Sequence, residues 1–316
     1  MTQTRIIYVY VKINYLGLKM KALVWDHDLF IDDVQIPPIP EGWVLGRTLS
    51  ASLSSIDRSI ISGLHPGTPR RVLGSYGVVR VLEVGIHAEA EQGKIYGVVP
   101  YCKDKVIPLH IDGLMSEYSS IPSQCLRSIP SDADLGTAPL GLEVSFLSHL
   151  KEVVADAENV LMIGCGFQGY IISSYLSSTT NLIVSCPDAE KALMKEISGL
   201  GVKVLSIDKV LYEKFDAVIF NSTSTYYSIK APRLLKDEGV LYLTPLLPTY
   251  VTTLTQTPGS FKVVWGKHTS IRQGMEAVSK LPKHLMNRYV RVTNELEEVP
   301  QLIRHFPRVI YVSSKK

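Results

Sequence analysis

The stretch Asn159-Val160-Leu161-Met162-Ile163-Gly164-Cys165-Gly166-Phe167-Gln168-Gly169 decides how this chain is read. An uninterrupted apolar run that ends on a glycine reads as a buried strand, and the residues from Gly169 onward read as a helix. A G-x-G-x-x-G placed between strand and helix is where a dinucleotide pyrophosphate is held. The first glycine permits a tight turn, and the second lets the backbone approach the phosphates. The third lets the helix pack close to the strand with its N-terminal N–H groups facing the anion. The alternative is an ordinary glycine-rich turn. Gly164, Gly166, Phe167, Gln168 and Gly169 are the expected cofactor contacts.

Downstream the pattern repeats: NLIVS (181–185), a helix over Asp188–Leu200, VKVLSI (202–207), FDAVIF (215–220), a helix near Ser228–Leu235, and VLYLTP (240–245). Apolar strands alternating with helices mean βαβ units and a parallel sheet covered on both faces. The end of the second strand meets the adenosine ribose, where an NAD site carries Asp or Glu. Here Ser185 or Cys186 stands at that point. Loss of the carboxylate removes repulsion against a 2′-phosphate, and Lys191 follows closely, so NADP is expected over NAD. Asp188 keeps the NAD reading open, and Lys191 has an alternative role as a solvated helix residue.

Upstream the character differs. KALVW, WVLGRTLSASL, GVVRVLEVG, KIYGVVPY and EYSSIP are short strand-like runs punctuated by Gly and Pro, with a helix only at Ser55–Ser62. They suggest a compact barrel or sandwich. The tail YVRVT, LEEVPQLIRHF, RVIYVSS reads strand, short helix, strand.

Composition agrees. The chain has 316 residues, 46% hydrophobic and 20% charged, which at about 100–200 residues per domain means two domains. A net charge of +3 without a basic run does not advertise nucleic acid. No apolar run reaches the roughly 20 residues that span a bilayer. Cys102, Cys125, Cys165 and Cys186 form no C-x-x-C pair, so four unpaired thiols and a cytoplasmic location are expected. Residues 1–19 lack a secretory leader and alternate like a strand, their Tyr8, Tyr10 and Tyr15 suiting an added edge strand.

These features together resemble the medium-chain dehydrogenase/reductase family, the zinc alcohol dehydrogenases and quinone oxidoreductases. MKALVW resembles the family's opening strand, DGLMSEYSSIP its G-x-x-A-E-Y-x-x-x-P segment, FDAVIFNSTS its fourth Rossmann strand and loop, and KDEGVLYLTP its fifth strand. The resemblance implies an α/β protein: a GroES-like β-rich catalytic domain plus a Rossmann doubly wound parallel-sheet domain. It places the extension at 1–19, the GroES-like domain at 20–137, the Rossmann domain at 138–285 and a return to the first domain at 286–316. It adds Asn221, Ser222 and Thr223 to the expected cofactor contacts. It also implies a homodimer through the Rossmann sheet edge, where LYLTPLLPTYVTTLT is apolar.

The departures from the family carry the functional reading. Where its zinc enzymes have G-H-E-x-x-G-x-V-x-x-x-G, this chain has Gly74-Ser75-Tyr76-Gly77-Val78-Val79-Arg80-Val81-Leu82-Glu83-Val84-Gly85. The ligand cysteine of the C-x-x-D segment falls on Ser54, with only Asp57 matching, and the third ligand falls near Leu142, beside Glu143. Catalytic zinc needs three ligands from thiolate, imidazole or carboxylate. Ser54, Ser75 and Leu142 supply none, and the four-cysteine structural zinc lobe is missing, so no metal is expected. The proton relay is lost too, with Ile56 and Ser59 at its positions. Without a Lewis acid an unactivated alcohol is a poor substrate, whereas zinc-free relatives reduce activated C=C bonds in quinones, enones or enoyl thioesters.

Four residues are candidates for the chemistry. His65 could donate to an enolate oxygen, or be an exposed loop histidine. Tyr76 could donate to a substrate carbonyl, or plug the vacated metal site. Ser54 could place a hydroxyl in the same void, or bond backbone. Asp57 fits a structural role better than a catalytic one, Arg58 fits a solvated charge, and Cys165 a small loop residue. The expected function is a zinc-independent NAD(P)H-dependent oxidoreductase for a small activated carbonyl, enone or quinone. The alternatives are a non-catalytic dinucleotide-binding sensor or scaffold, and a zinc enzyme using Glu143, Cys102 or His65.

Overall fold

The computed structural model describes residues 17–314, apart from 66, 104, 187–192, 211–212, 223–224 and 246–259. The long strand Trp43–Leu53 is the axis of the first domain. Tyr76–Val84 and Arg308–Val312 flank it, both antiparallel to it, and Tyr118–Pro122 also pairs with its first half. The C-terminal strands Val290–Thr293 and Arg308–Val312 therefore complete a sheet begun by the N-terminal half. A smaller sheet joins Lys19–Asp26 to Asp28–Gln35 and Arg71–Val72. Leu23, Val44, Leu53, Val79, Ile107 and Val309 lie in the core these strands enclose.

Two registers position the site. Ser52 lies opposite Tyr76, and Val309 opposite Leu53. Arg308 is thus carried level with Ser54, where the chain leaves the strand and starts the helix Ser55–Ile61.

The second domain is a six-stranded parallel sheet. Its strands in chain order are Asn159–Ile163, Asn181–Ser185, Lys203–Leu205, Phe215–Phe220, Leu235–Leu243 and Phe261–Trp265, and their spatial order is 3-2-1-4-5-6. That order reverses between the first and fourth strands, which is where such sheets receive ligands. Val160, Met162, Ala217 and Ile219 face one apolar layer and Leu161, Ile163, Val218 and Phe220 the other, as a sheet covered on both faces requires. Among the described residues no helix is long and apolar enough to cross a membrane.

Several boundaries differ from expectation. The helix expected at Gly169 starts at Phe167, because Gly166 already serves as its N-cap. The helical spacing of LGLEVSFLSHLKEVV is two helices, Ala138–Glu143 and Leu147–Val153. They break where the Ser145 carbonyl turns out to accept the amides of Thr269 and Ser270 at 3.2 and 3.1 Å. The fifth strand starts at Leu235, earlier than expected, after a short helical turn Ala231–Leu234. Of the helix expected over Asp188–Leu200, residues 193–200 are described, and Met194–Ser198 is helical. Most of the expected edge stretch (246–259) and residues 1–16 lie outside them, and the described sheet edge is Phe261–Trp265.

The expectation of four unpaired thiols is corrected. Cys102 pairs with Cys125 and Cys165 with Cys186, with Cα–Cα separations of 5.0 and 5.1 Å. Their spacing in sequence concealed this, since strand ends and loops bring each pair within disulfide reach. The cytoplasmic expectation loses that support.

Candidate functional site

The glycine loop lies at the sheet's reversal point, beside the end of the fourth strand. A Cβ on Gly164 would stand 2.0 Å from the Asn221 carbonyl oxygen, and its φ is +124°, so no side chain fits there. A Cβ on Gly169 would stand 2.4 Å from the Gly164 oxygen. A Cβ on Gly166 would meet nothing within 4 Å. Two glycines are therefore demanded by the fold, while the middle one keeps an open face over the start of the helix. The loop fits a dinucleotide, and Gly164, Gly166, Phe167, Gln168 and Gly169 would hold its pyrophosphate.

The other expected cofactor contacts divide. Asn221 and Ser222 are buried at the end of the fourth strand, and Asn221 Oδ1 accepts from Thr244 Oγ1 at 3.1 Å. Ser185 is buried, its carbonyl accepting the Gly164 amide at 2.9 Å and its hydroxyl without a partner among the described residues. Cys186 is tied to Cys165 in the glycine loop itself. Lys191, Asp188 and Thr223 lie outside the described residues.

A cleft of about 420 Å³ runs from this loop to the first domain, lined by Gly166, Gln168, Asn221, Ser55, Arg58 and Arg308, among others. Arg58 is not a solvated charge: it is partly buried, and its Nη1 donates to the carbonyls of Ile303 and Phe306 at 3.0 and 3.1 Å. Burial, and then repulsion from Arg308, lower its pKa. Both arginines line the cleft.

Ser54 and Ser75, which the family resemblance aligns with zinc ligands, belong to a hydrogen-bond network with Asp57. Ser54 caps the helix Ser55–Ile61, accepting the Ile56 amide and donating to Ser75 Oγ at 3.1 Å. Asp57 accepts the amides of Ser54 and Gly74, each at 2.7 Å, and the Ser75 hydroxyl. Burial pushes the Asp57 carboxyl up, against the pull of these three donors. Asp57 thus ties a helix start to a strand turn, the structural role expected of it. Leu142 is buried among apolar side chains with Tyr76. Glu143 meets Arg308, whose Nε and Nη2 donate to its two oxygens at 3.1 and 2.6 Å. Arg308 Nη2 also donates to Ser55 Oγ at 2.8 Å. The Asp57 and Glu143 carboxylates are both engaged, and the aligned ligand positions offer two hydroxyls and the aliphatic Leu142, so the donor set does not suit zinc. Among the described residues no group of three or more His, Cys, Asp or Glu could hold a metal.

His65 is not brought to this place. It is partly buried near His110, and burial first, then that neighbour, lower its pKa. Tyr76 is brought there and is wholly buried. Sequence reasoning missed Arg308, Tyr101 and His268, which lie far along the chain and belong to no motif. Only the strand pairing at Leu53–Val309 and the packing of the two domains reveal them.

A β-barrel-like domain completed by the C-terminus, joined to a 3-2-1-4-5-6 parallel sheet with a glycine loop at its reversal point, defines a two-domain dehydrogenase fold. The comparisons agree. Over 90% of its length the chain is 23% identical to a Haemophilus influenzae protein described as an uncharacterized zinc-type alcohol dehydrogenase-like protein, covering 94% of it. It superposes on the alcohol dehydrogenase of Thermus sp. ATN1 with a TM-score of 0.69 at 16% identity, covering 93% of this chain and 100% of that one. A Sinorhizobium meliloti protein described as a zinc-binding dehydrogenase, solved with NADP, gives 0.66 at 17% identity, covering 93% and 99%. No family model matches the chain. The chain has the medium-chain dehydrogenase/reductase fold, and its sequence resembles that family along most of its length.

Proposed function

We propose that this protein is a zinc-independent NAD(P)-dependent oxidoreductase for a small activated carbonyl, enone or quinone, with NADP the preferred cofactor. The observation that carries the reading is the contrast between two sites: the glycine loop keeps its open face at Gly166, while Glu143 is sequestered by Arg308. The cofactor, when bound, supplies or accepts the hydride. This chain's part is to seat the pyrophosphate on the glycine loop and the helix N-terminus at Phe167, to offer Arg58 and Arg308 along the cleft, and to enclose the reacting carbon. The missing carboxylate at Ser185 supports NADP, as does the NADP found in the S. meliloti protein.

Metal analysis together with fluorescence titration by NADH and NADPH tests the proposal. The expected result is less than stoichiometric zinc and tighter binding of NADPH. Stoichiometric zinc, or no binding of either nicotinamide, overturns it. The reading as a dinucleotide-binding protein without chemistry draws on the loss of relay hydroxyls, since Ser59 Oγ is spent on the Ile56 carbonyl. Turnover of 2-cyclohexen-1-one with NADPH would exclude it. We also propose a homodimer through the Phe261–Trp265 edge, where Trp265 is exposed, and a cytoplasmic location. Monomeric light scattering at micromolar concentration would count against the dimer.

A further inference from the structure

Three aromatic side chains converge behind the Glu143–Arg308 pair. The His268 ring meets Tyr76 edge-on at 5.7 Å between centroids and stacks on Tyr101 at 6.0 Å. The Tyr76 hydroxyl, the Tyr101 hydroxyl and His268 Nε2 are all buried, and none has a hydrogen-bond partner among the described residues. Ser52 Oγ, opposite Tyr76 in the strand register, is a fourth such atom. A buried polar atom without a partner is rare in native proteins, and a cluster of them asks for a guest.

The hydrogen bonds around His268 fix its tautomer. Ser145 Oγ donates its single proton to the Leu142 carbonyl at 2.8 Å, so toward His268 Nδ1, at 2.9 Å, it can only accept. Nδ1 carries the ring proton, and Nε2 presents a lone pair. The two phenols are donors, kept protonated by burial, which raises both well above the ordinary tyrosine range, with Glu143 adding repulsion of any phenolate. Burial likewise keeps the imidazole neutral. Arg127 bears on His268 and helps to keep it neutral, while Glu143, which neutralises Arg308, repels an anion placed beside either phenol.

We propose that Tyr76, Tyr101 and His268 form a buried subsite for one neutral oxygen of the substrate, a hydroxyl or carbonyl, with the phenols donating to it and His268 Nε2 accepting from it. A hydroxyl oxygen, able to accept twice and donate once, satisfies all three, and a carbonyl oxygen satisfies both phenols. The site thereby selects a neutral oxygenated molecule over a carboxylate or phosphate. Tyr76 and Tyr101 belong to the first domain, while His268 follows the last strand of the second, so the subsite is closed by contact between the domains. This assignment deepens the oxidoreductase reading by naming the group that the substrate presents, and it rests on that reading for its place in a reaction.

The test uses 4-nitrophenol, a neutral hydroxyl donor near pH 6 with a distinct spectrum when ionised, added to the full chain. Binding of the neutral form is expected, weakened about tenfold, or about 1.4 kcal/mol, by each of Tyr76→Phe and Tyr101→Phe. NADPH affinity, read separately by fluorescence, should stay within twofold in both variants. Because neither hydroxyl bonds to the protein, both variants should melt no lower than the parent. Binding that survives both substitutions, preferential capture of the ionised form, or a drop in melting temperature overturns the subsite. Failure of NADPH to bind overturns only the oxidoreductase reading, since 4-nitrophenol still reports on the subsite.

Discussion

The Arg308 guanidinium grips the Glu143 carboxylate through two hydrogen bonds, at 3.1 and 2.6 Å, with both side chains at most 4% exposed. One partner comes from a helix at the start of the second domain and the other from the last strand of the first. The pair is therefore a bolt between the domains. Removing one partner strands a buried charge, so Glu143→Ala should lose about 3–5 kcal/mol in chemical denaturation. The double substitution Glu143→Leu with Arg308→Met should lose much less, because it leaves no orphaned charge. Equal losses in single and double variants would deny the pair this role.

The same pair sets the response to metal. Installing Ser54→Cys and Ser75→His beside Glu143 recreates three ligand types, yet zinc should not be retained while Arg308 occupies the carboxylate. Adding Arg308→Ala should let zinc bind, as read by metal analysis after gel filtration. Stoichiometric zinc in the two-site variant would contradict the model of a filled site.

The glycine loop gives opposite predictions for neighbouring residues. Gly166→Ala places a methyl group in open space, so stability should hold while NADPH affinity falls about tenfold or more, the scale of 1.4 kcal/mol. Gly164→Ala collides with the Asn221 carbonyl and keeps a positive φ, so it should cost about 2–3 kcal/mol of stability. Thermal melts and NADPH titrations of the two variants check both arms.

His268 should make the fold sensitive to acid. Burial lowers its pKa to about 3, below the ordinary 6.5. Between those values the unfolded chain binds a proton that the folded chain refuses. The resulting stability is fully present above pH 6.5 and drains away as pH falls toward 3, at about 1.4 kcal/mol per unit. A His268→Asn variant should show a flatter profile over that window in denaturation at a series of pH values.

Much of the fold was legible because it rests on local periodicity. The apolar run Asn159–Ile163, the glycines that follow and the strand Phe215–Phe220 each announce their state over a few residues. Of the site, Tyr76 was found by its place between recognisable glycines, and Ser54 and Asp57 by their likeness to a C-x-x-D segment. Arg308 was missed because a single arginine in RVIYVSS carries no period, and His268 because nothing in GKHTS marks it as buried. His65 was chosen for its imidazole and is half-buried near His110, its amide donating to the Ser59 carbonyl at 3.0 Å.

The sequence by itself determined the two-domain plan, the glycine loop and the hydroxyls at Ser54 and Ser75, all of which depend on short-range spacing or on residue identity. Only the tertiary structure decided what holds those positions and what pairs with Glu143. That answer required pairing strand Arg308–Val312 with Trp43–Leu53, seating Glu143 at a helix end, and stacking His268 on Tyr101. Those contacts join residues more than a hundred positions apart. They are chosen by the burial of whole sheets, and no local pattern records which distant charge will find its partner.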